Sequence, residues 1–465
     1  MAKRLAFYGT IIHSQNIGRT DILENALICT GEDGIITALE PNVPPDQLDD
    51  KLSGLNLNTE VYDVHRLHRG ELLIPGFVDT HNHAPQWAQR GLGRGLQIID
   101  WLNEITFKNE AKFANLQYAR KVYTQAVKGF LKQGITTASY YASIHGPATK
   151  LLAEICFAEG QRALIGKCNM NRNSPPFYIE PSSQESLTAT QEVIDAIKQI
   201  DPEACLIKPI LTPRFAISCT EELLQGLGEL AAENPGLPIQ THFNEALSEI
   251  DMTLSLFPDY TNEADLYSRF GLLNDRTILA HCCHMTQYEI ERLKQVGCGI
   301  AHCPIANTTV GGGFMAAPIR DFLRQGITKI GLGTDSGGGF SSSILDAMRQ
   351  AFIVSNAREK MTAGKDQSLT VDECFYMATL GGARVCGLDH KVGNFAVGKE
   401  FDACLVRTYE PADHDMDADL DLSVPLGVMT PIEVEDSFRT ILEKFVMSAD
   451  DRNIARVWVR GKCVK

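Results

Sequence analysis

"RTILAHCCHMTQYEIERLKQVGCGIAHCP", Arg276–Pro304, holds one complete copy of a plan that runs through most of the chain. "RTILAHCCH" is a short apolar run of strand character that reaches His281. "TQYEIERLKQVG" has apolar residues three and four apart, the spacing of one helix face. Thr286 and Glu289 form a capping-box pattern at its start. "CGIAHCP" is a second apolar run, as expected for a strand buried on both faces.

The same alternation extends in both directions. Upstream lie "LLIPGFVDTHNH", a strand from Leu72 to Val78 that ends in His81 and His83, and the helix "YARKVYTQAVKGFLKQG". The strands "ITTASYYAS", "RALIGKCNMN", "CLIKPILTPRF" and "LPIQTHFNE" follow, separated by helices such as "ATKLLAEICFAEG" and "TEELLQGLGELAAEN". Downstream lie "APIRDFLRQG", "ITKIGLGTDS" and the helix "SILDAMRQAFIVSNA". Gly134, Gly160 and Gly326 stand where helices stop. Eight βα units predict an α/β fold, a closed (β/α)₈ barrel of the TIM type. A doubly wound open sheet is the alternative, and the clustering of chemistry at strand ends favours the barrel. The flanks are strand-like, so residues 1–74 and 391–465 are expected to pair into a small β-sandwich domain beside a barrel of residues 75–390. "PADHDMDADLDLSVP" (411–425) reads as a solvated acidic loop or an interface segment.

With 465 residues, 44% of them hydrophobic and 22% charged, the chain has the composition of a globular protein. A formal net charge of −15 argues against nucleic acid and anionic membrane as partners. No apolar run is long enough to span a bilayer, and the start lacks the pattern of a secretory signal. Thirteen scattered cysteines, many inside apolar runs, read as reduced core residues of a cytoplasmic protein.

Chemistry-bearing residues fall at strand ends. His81 and His83 share one face of an extended chain, with Thr80 and Asn82 on the other. His242 ends the fifth strand, His281 the sixth, and Asp335 the eighth. Each alone could be a satisfied core residue, a cap or an ion pair. Together, on one rim, they form a mixed nitrogen and oxygen site that suits Zn²⁺ or another borderline divalent ion. The "HCCH" run lacks zinc-finger spacing, so Cys282 and Cys283 are expected to be packed or inert. A metal on such a rim activates water, and Glu245, three residues beyond His242, is the candidate proton shuttle. The expected reaction is hydrolysis at a C–N bond.

"PGFVDTHNH", "THFNE", "LAH" and "GLGTDS" occur in the order and spacing of the amidohydrolase superfamily, which the chain resembles. "HAPQW", "WLNEITF", "LTPRFAISC", "AHCP", "GLGTDSGGGFSSSILDAMR", "LGGARVCGLD", "GNFAVGKEFDACLV" and "DDRNIARVWVRGK" make it similar to the guanine deaminase family within that superfamily. The resemblance implies one Zn²⁺ per chain on His81, His83, His242 and Asp335, with Glu245, His281 and Asp335 catalytic. It implies a substrate pocket of His83, Ala84, Pro85, Gln86, Arg214, Phe215, His242, Phe243, Asn244, Glu245 and Asp335. The implied reaction converts guanine and water to xanthine and ammonia, by attack of an activated water at C2, in a homodimer. Departures are Phe243-Asn244 before the glutamate, Pro85 and Trp87 around Gln86, and the glycine-rich "PIANTTVGGGF", expected as a mobile rim loop. Rival readings are another deaminase or C–N or C–Cl hydrolase with different partners at Gln86 and Arg214, or a non-catalytic scaffold, which should have lost ligands. A binuclear relative with a carbamylated lysine is disfavoured, because Lys208 lies well before the end of its strand.

Overall fold

The computed structural model describes residues 4–54, 62–310, 315–408, 430–433 and 435–465. Its centre is a succession of parallel strands joined by helices. Phe77–His83, Ile135–Tyr141, Arg162–Gly166 and Ile207–Pro209 pair in that order. Ile239–Phe243, Thr277–His281, Gly299–His302 and Ile330–Leu332 form a second parallel set. The short strands Cys168–Asn169 and Thr212–Pro213 pair with each other, and a bridge from Leu211 to Ile239 links the two sets. The chain after Leu332 runs beside the first strand, where Asp335 N donates to His81 O at 2.9 Å.

The helices between the strands begin and end as their residues require. Thr286 and Glu289 make both hydrogen bonds of the capping box. Asn115, Ser182 and Thr220 cap three others through their side chains. Gly160 closes the helix Gly146–Glu159 at φ 78°, in the left-handed region that glycine enters without a Cβ clash.

Two expected strands are each divided. Leu72–Val78 is two elements: Glu71–Pro75 pairs antiparallel with Ala403–Arg407, and Phe77–His83 joins the parallel set. They meet at Gly76, where a Cβ would come within 2.2 Å of the Thr136 hydroxyl. "CLIKPILTPRF" breaks after Pro209: Ile210 N still donates to Ile165 O (3.2 Å), and pairing resumes at Thr212–Pro213 with Cys168–Asn169.

The two chain ends meet in one eight-stranded sheet. Its path is Lys462–Cys463, Ile454–Val459, Ala403–Arg407, Glu71–Pro75, Arg4–Asn16, Arg19–Thr30 and Ile36–Glu40, with Tyr62–Arg66 also on Arg4–Asn16. Alternation sorts the long first strand. Leu5 and Phe7 pack with Phe401 and Trp458, whereas Ala6 and Tyr8 pack with Val43 and Leu48. Arg162, buried at the start of its strand, donates to Glu400 (2.6 Å) and Asp402 (3.1 Å), tying this sheet to the parallel strands. Among the described residues no helix is long and apolar enough to cross a membrane. The acidic segment 411–425 lies outside the described residues.

Candidate active site

The first strand brings Asp79, His81 and His83 to its C-terminal end, all buried. Thr80 turns away and donates to Leu332 O (2.9 Å), and Asn82 donates to Asp79 Oδ2 (3.1 Å). Asp79 also accepts from Thr334 N (2.9 Å) and Thr334 Oγ1 (2.6 Å), which fixes the loop ahead of Asp335. Burial pushes the Asp79 carboxyl up to about 7 against these hydrogen bonds.

His242, His281 and Asp335 arrive at the same place. Asp335 Oδ1 lies 3.3 Å from His81 Nε2 and 3.4 Å from His83 Nε2. His83 Nε2 lies 3.2 Å from His242 Nε2. The ring centroid of His81 is 4.9 Å from that of His242 and 5.2 Å from that of His281. Donor atoms of His81, His242 and His281 lie within 4.8 Å of one another, as do those of His81, His83 and Asp335. Tyr141 packs its ring against His81, His83 and His242.

The protonation pattern suits a cation. Burial lowers His81, and lowers His83 and His242 well below the ordinary range, so these rings are neutral. His242 Nδ1 sits 2.6 Å from Arg214 O, an obligatory acceptor, so Nδ1 carries the hydrogen and Nε2 the lone pair. His81 Nε2, which faces Asp335, and His281 Nε2, which faces Glu245, are buried with no hydrogen-bond partner among the described residues. Desolvated nitrogens gathered around a carboxylate are costly without an electrophile to share. His81, His83, His242 and Asp335 therefore fit a divalent metal of the zinc type.

Backbone strain is concentrated here. Asn244 (φ 47°), His281 (φ 75°), Cys282 (φ 50°) and Asp335 (φ 43°) all occupy the left-handed region. Each such residue costs on the order of 1–3 kcal/mol and persists where neighbours over-determine it. Cys282 N donates to Phe243 O (3.0 Å) and Cys283 N to Asn244 O (2.9 Å). Asparagine tolerates this conformation, which gives the Phe243-Asn244 departure a local reason. Asn244 N donates to Glu263 (3.0 Å) and its amide to Glu289 (2.8 Å).

Glu245 faces His281, with Oε2 3.6 Å from Nε2. Burial raises its carboxyl to about 7, partly opposed by His281. His281 is oriented from behind by Asn307 Oδ1, 2.8 Å from Nδ1. A cleft of about 420 Å³ opens beside these groups. His83, Gln86, Arg214, Phe215, His242, Glu245 and Asp335 line it, together with Ile98, Trp101, Leu102, Val310 and Gly338. Ala84 and Phe243 are in the apolar core instead, and Pro85 opens the 3₁₀ turn Ala84–Gln89. Trp87 meets Phe130 edge to face and carries Arg90 over its ring. Cys282 and Cys283 are buried free thiols. Lys208 neighbours Arg162 and Lys391 near the terminal sheet, away from this cluster.

Some of the site escapes sequence reasoning. Trp101 and Leu102 fall inside "WLNEITF", where a motif marked the place and no role. Glu110, Asn307 and Tyr141 carried no signal. "PIANTTVGGGF" is not wholly a loop: Pro304–Thr309 is a helix opened by proline at its first turn, and it presents Asn307. Residues 311–314 lie outside the described set.

Residues 72–464 match the Amidohydrolase family. The chain is 41% identical over 98% of its length to a probable guanine deaminase of Schizosaccharomyces pombe, covering 83% of that protein. It is 39% identical over 99% of its length to the guanine deaminase of Dictyostelium discoideum, covering 98% of it. Among solved structures, guanine deaminase from C. acetobutylicum with bound guanine superposes with a TM-score of 0.86 at 32% identity, all of each chain being covered. Matching fold, full-length relatives and the His-x-His strand end converge on one assignment: the chain belongs to the amidohydrolase family.

Proposed function

We propose that the protein hydrolyses guanine to xanthine and ammonia, with one Zn²⁺ per chain on His81, His83, His242 and Asp335. The observation that carries this is the convergence of those four side chains, with Glu245, beside a cleft lined by Gln86 and Arg214. Relatives that match nearly the whole chain bear the name guanine deaminase, and one was solved with guanine bound.

The cation, when bound, lowers the pKa of water and polarises the purine. This chain's own groups do the rest. Glu245 takes one proton from the attacking water and delivers it to ring nitrogen N3 as the C2–O bond forms. His281 holds the water's oxygen in line. Asp335 takes the second water proton and passes it to the 2-amino group, so the C2–N bond breaks and ammonia leaves. The balance is guanine plus water to xanthine plus ammonia. Arg214 supplies donors to guanine's carbonyl and ring-nitrogen acceptors, Gln86 pairs with its polar edge, and Phe215 lines the cleft.

On this reading residues 75–390 form a closed (β/α)₈ barrel, with 1–74 and 391–465 as halves of a small β-sandwich domain, in a cytoplasmic homodimer. The test is ammonia release from guanine by purified protein, with and without a strong chelator, beside adenine and cytosine. Chelator-sensitive turnover of guanine is expected. No turnover of guanine by metal-loaded protein would sink the substrate assignment and leave a different C–N hydrolase on the same site.

A further inference from the structure

Glu110 has a buried carboxylate at the back of the cleft, at the end of the short helix Phe107–Glu110, and it is 0% exposed. Three donors converge on it. Gln86 Nε2 donates to Oε1 at 2.8 Å. Arg214 Nη1 and Tyr178 Oη donate to Oε2 at 2.8 and 2.6 Å. Tyr178 is itself fixed, accepting from Ile144 N at 3.2 Å. Arg214 lies over the ring of Phe107, with Cζ 5.4 Å from its centroid.

An ionised carboxylate only accepts hydrogen bonds. Paired with Arg214, Glu110 therefore decides which end of the Gln86 amide it meets. The NH₂ end faces Glu110, and Oε1 faces the other way, where it accepts from Gln89 Nε2 at 3.3 Å. The fold leaves room for that oxygen: Gly337 passes so close that a Cβ there would lie 2.1 Å from Gln86 Oε1. Glu110 also holds one amino group of Arg214 and leaves the rest of its guanidinium to the cleft. Gln86 thus offers the second lone pair of Oε1 as an acceptor, and Arg214 a set of donors. Their complement is a ligand with an N–H beside a carbonyl, the lactam edge that guanine has and adenine lacks.

We propose that Glu110 is a positioning residue that sets substrate choice by fixing the Gln86 amide and the Arg214 guanidinium together. The inference rests on the guanine reading above. The experiment compares wild type, Glu110→Gln, Gln86→Met and the double variant, each metal-loaded, with metal content measured. Glu110→Gln is expected to lower kcat/KM for guanine about tenfold or more, mainly through KM, at unchanged metal content. Competitive inhibition by adenine should not weaken. In the Gln86→Met background the same substitution should cost much less, since the group it acts through is gone. Costs that simply add, or a kcat/KM within about twofold of wild type, would overturn the proposal. If Glu110→Gln does not fold, Glu110→Asp enters the same cycle, keeping the charge but withdrawing it by one methylene, with the same direction expected. Wild-type turnover of guanine separates the two readings. Its absence overturns both, whereas indifferent Glu110 variants of an active enzyme overturn only this one.

Discussion

At the scale of single residues, Glu245 is raised by burial to about 7, which suits a group that must take and give back a proton near neutrality. As the proposed base it would work ionised, so kcat/KM should fall as pH drops below that value. Positive charge added at the metal site would move the limb lower. Glu245→Gln should cut kcat by roughly 10²–10⁴ while the bound metal stays; a variant that kept its rate would remove Glu245 from the mechanism. His81→Ala should do the reverse in order: metal content falls from one per chain towards zero, and activity falls with it by about 100-fold or more. Elemental analysis beside circular dichroism separates metal loss from unfolding. The residues of these predictions were legible in the sequence because they sit at strand ends, where an apolar run meets a His or Asp. Glu110 was not, since it lies off the strands and its meaning comes from Gln86 and Arg214, which only folding brings to it.

At the scale of elements, alternation was readable because period decides strand or helix, and parallel strands need crossover helices. The breaks at Gly76 and Pro209 were not, because each depends on which neighbouring strand accepts the ladder. Nor could spacing show how the turn after Ile239–Phe243 is held. There Glu249 accepts from Glu245 N (3.2 Å), and Glu263 accepts from Asn244 N. Burial raises both carboxyls, Glu249 well above its ordinary range, and Glu249 is raised further by the neighbouring charge of Glu263. Both shifts favour the protonated form. An unfolded glutamate titrates near about 4.3, so above that pH the native state binds more protons than the unfolded one. Stability then falls as pH rises towards the native values. Glu249→Gln imitates the protonated acid, able to donate to Glu263 and accept from Glu245. Its thermal midpoint should match wild type near about pH 5 and exceed it near about pH 9. Parallel curves for the two proteins would show that the pair does not share a proton.

At the scale of the whole molecule, the terminal sheet and the site share one stretch of chain. Leu72, Leu73 and Ile74 pair with Val406, Leu405 and Cys404, and the chain then turns at Gly76 into the strand that carries His81 and His83. The sequence indicated that both ends were strand-like, but not what would hold them to the parallel strands. Beside the apolar packing of Leu72, Ile74, Val406 and Val457, Arg162 contributes a polar tie: it is 2% exposed, and its guanidinium meets Glu400 and Asp402 and also donates to Cys205 O (2.7 Å). Removing it leaves two buried carboxylates short of a partner, a loss of about 3–5 kcal/mol for a fully isolated pair. Lys391 and Arg460 each approach Glu400 at 3.8 Å, and Asp402 keeps the Arg460 N–H at 2.8 Å, so the lower end of that range is expected. Lysine cannot reproduce the fork that reaches both acids at once. Arg162→Met and Arg162→Lys should therefore both shorten the half-life at elevated temperature, the measure suited to a chain this large. Turnover per folded molecule should remain near wild type, because no atom of Arg162 lines the cleft. A variant that kept its thermal half-life would mean that apolar packing alone holds the sheet in place. A variant that stayed folded but lost turnover would mean that the sheet transmits its position to His81 and His83 through the turn at Gly76.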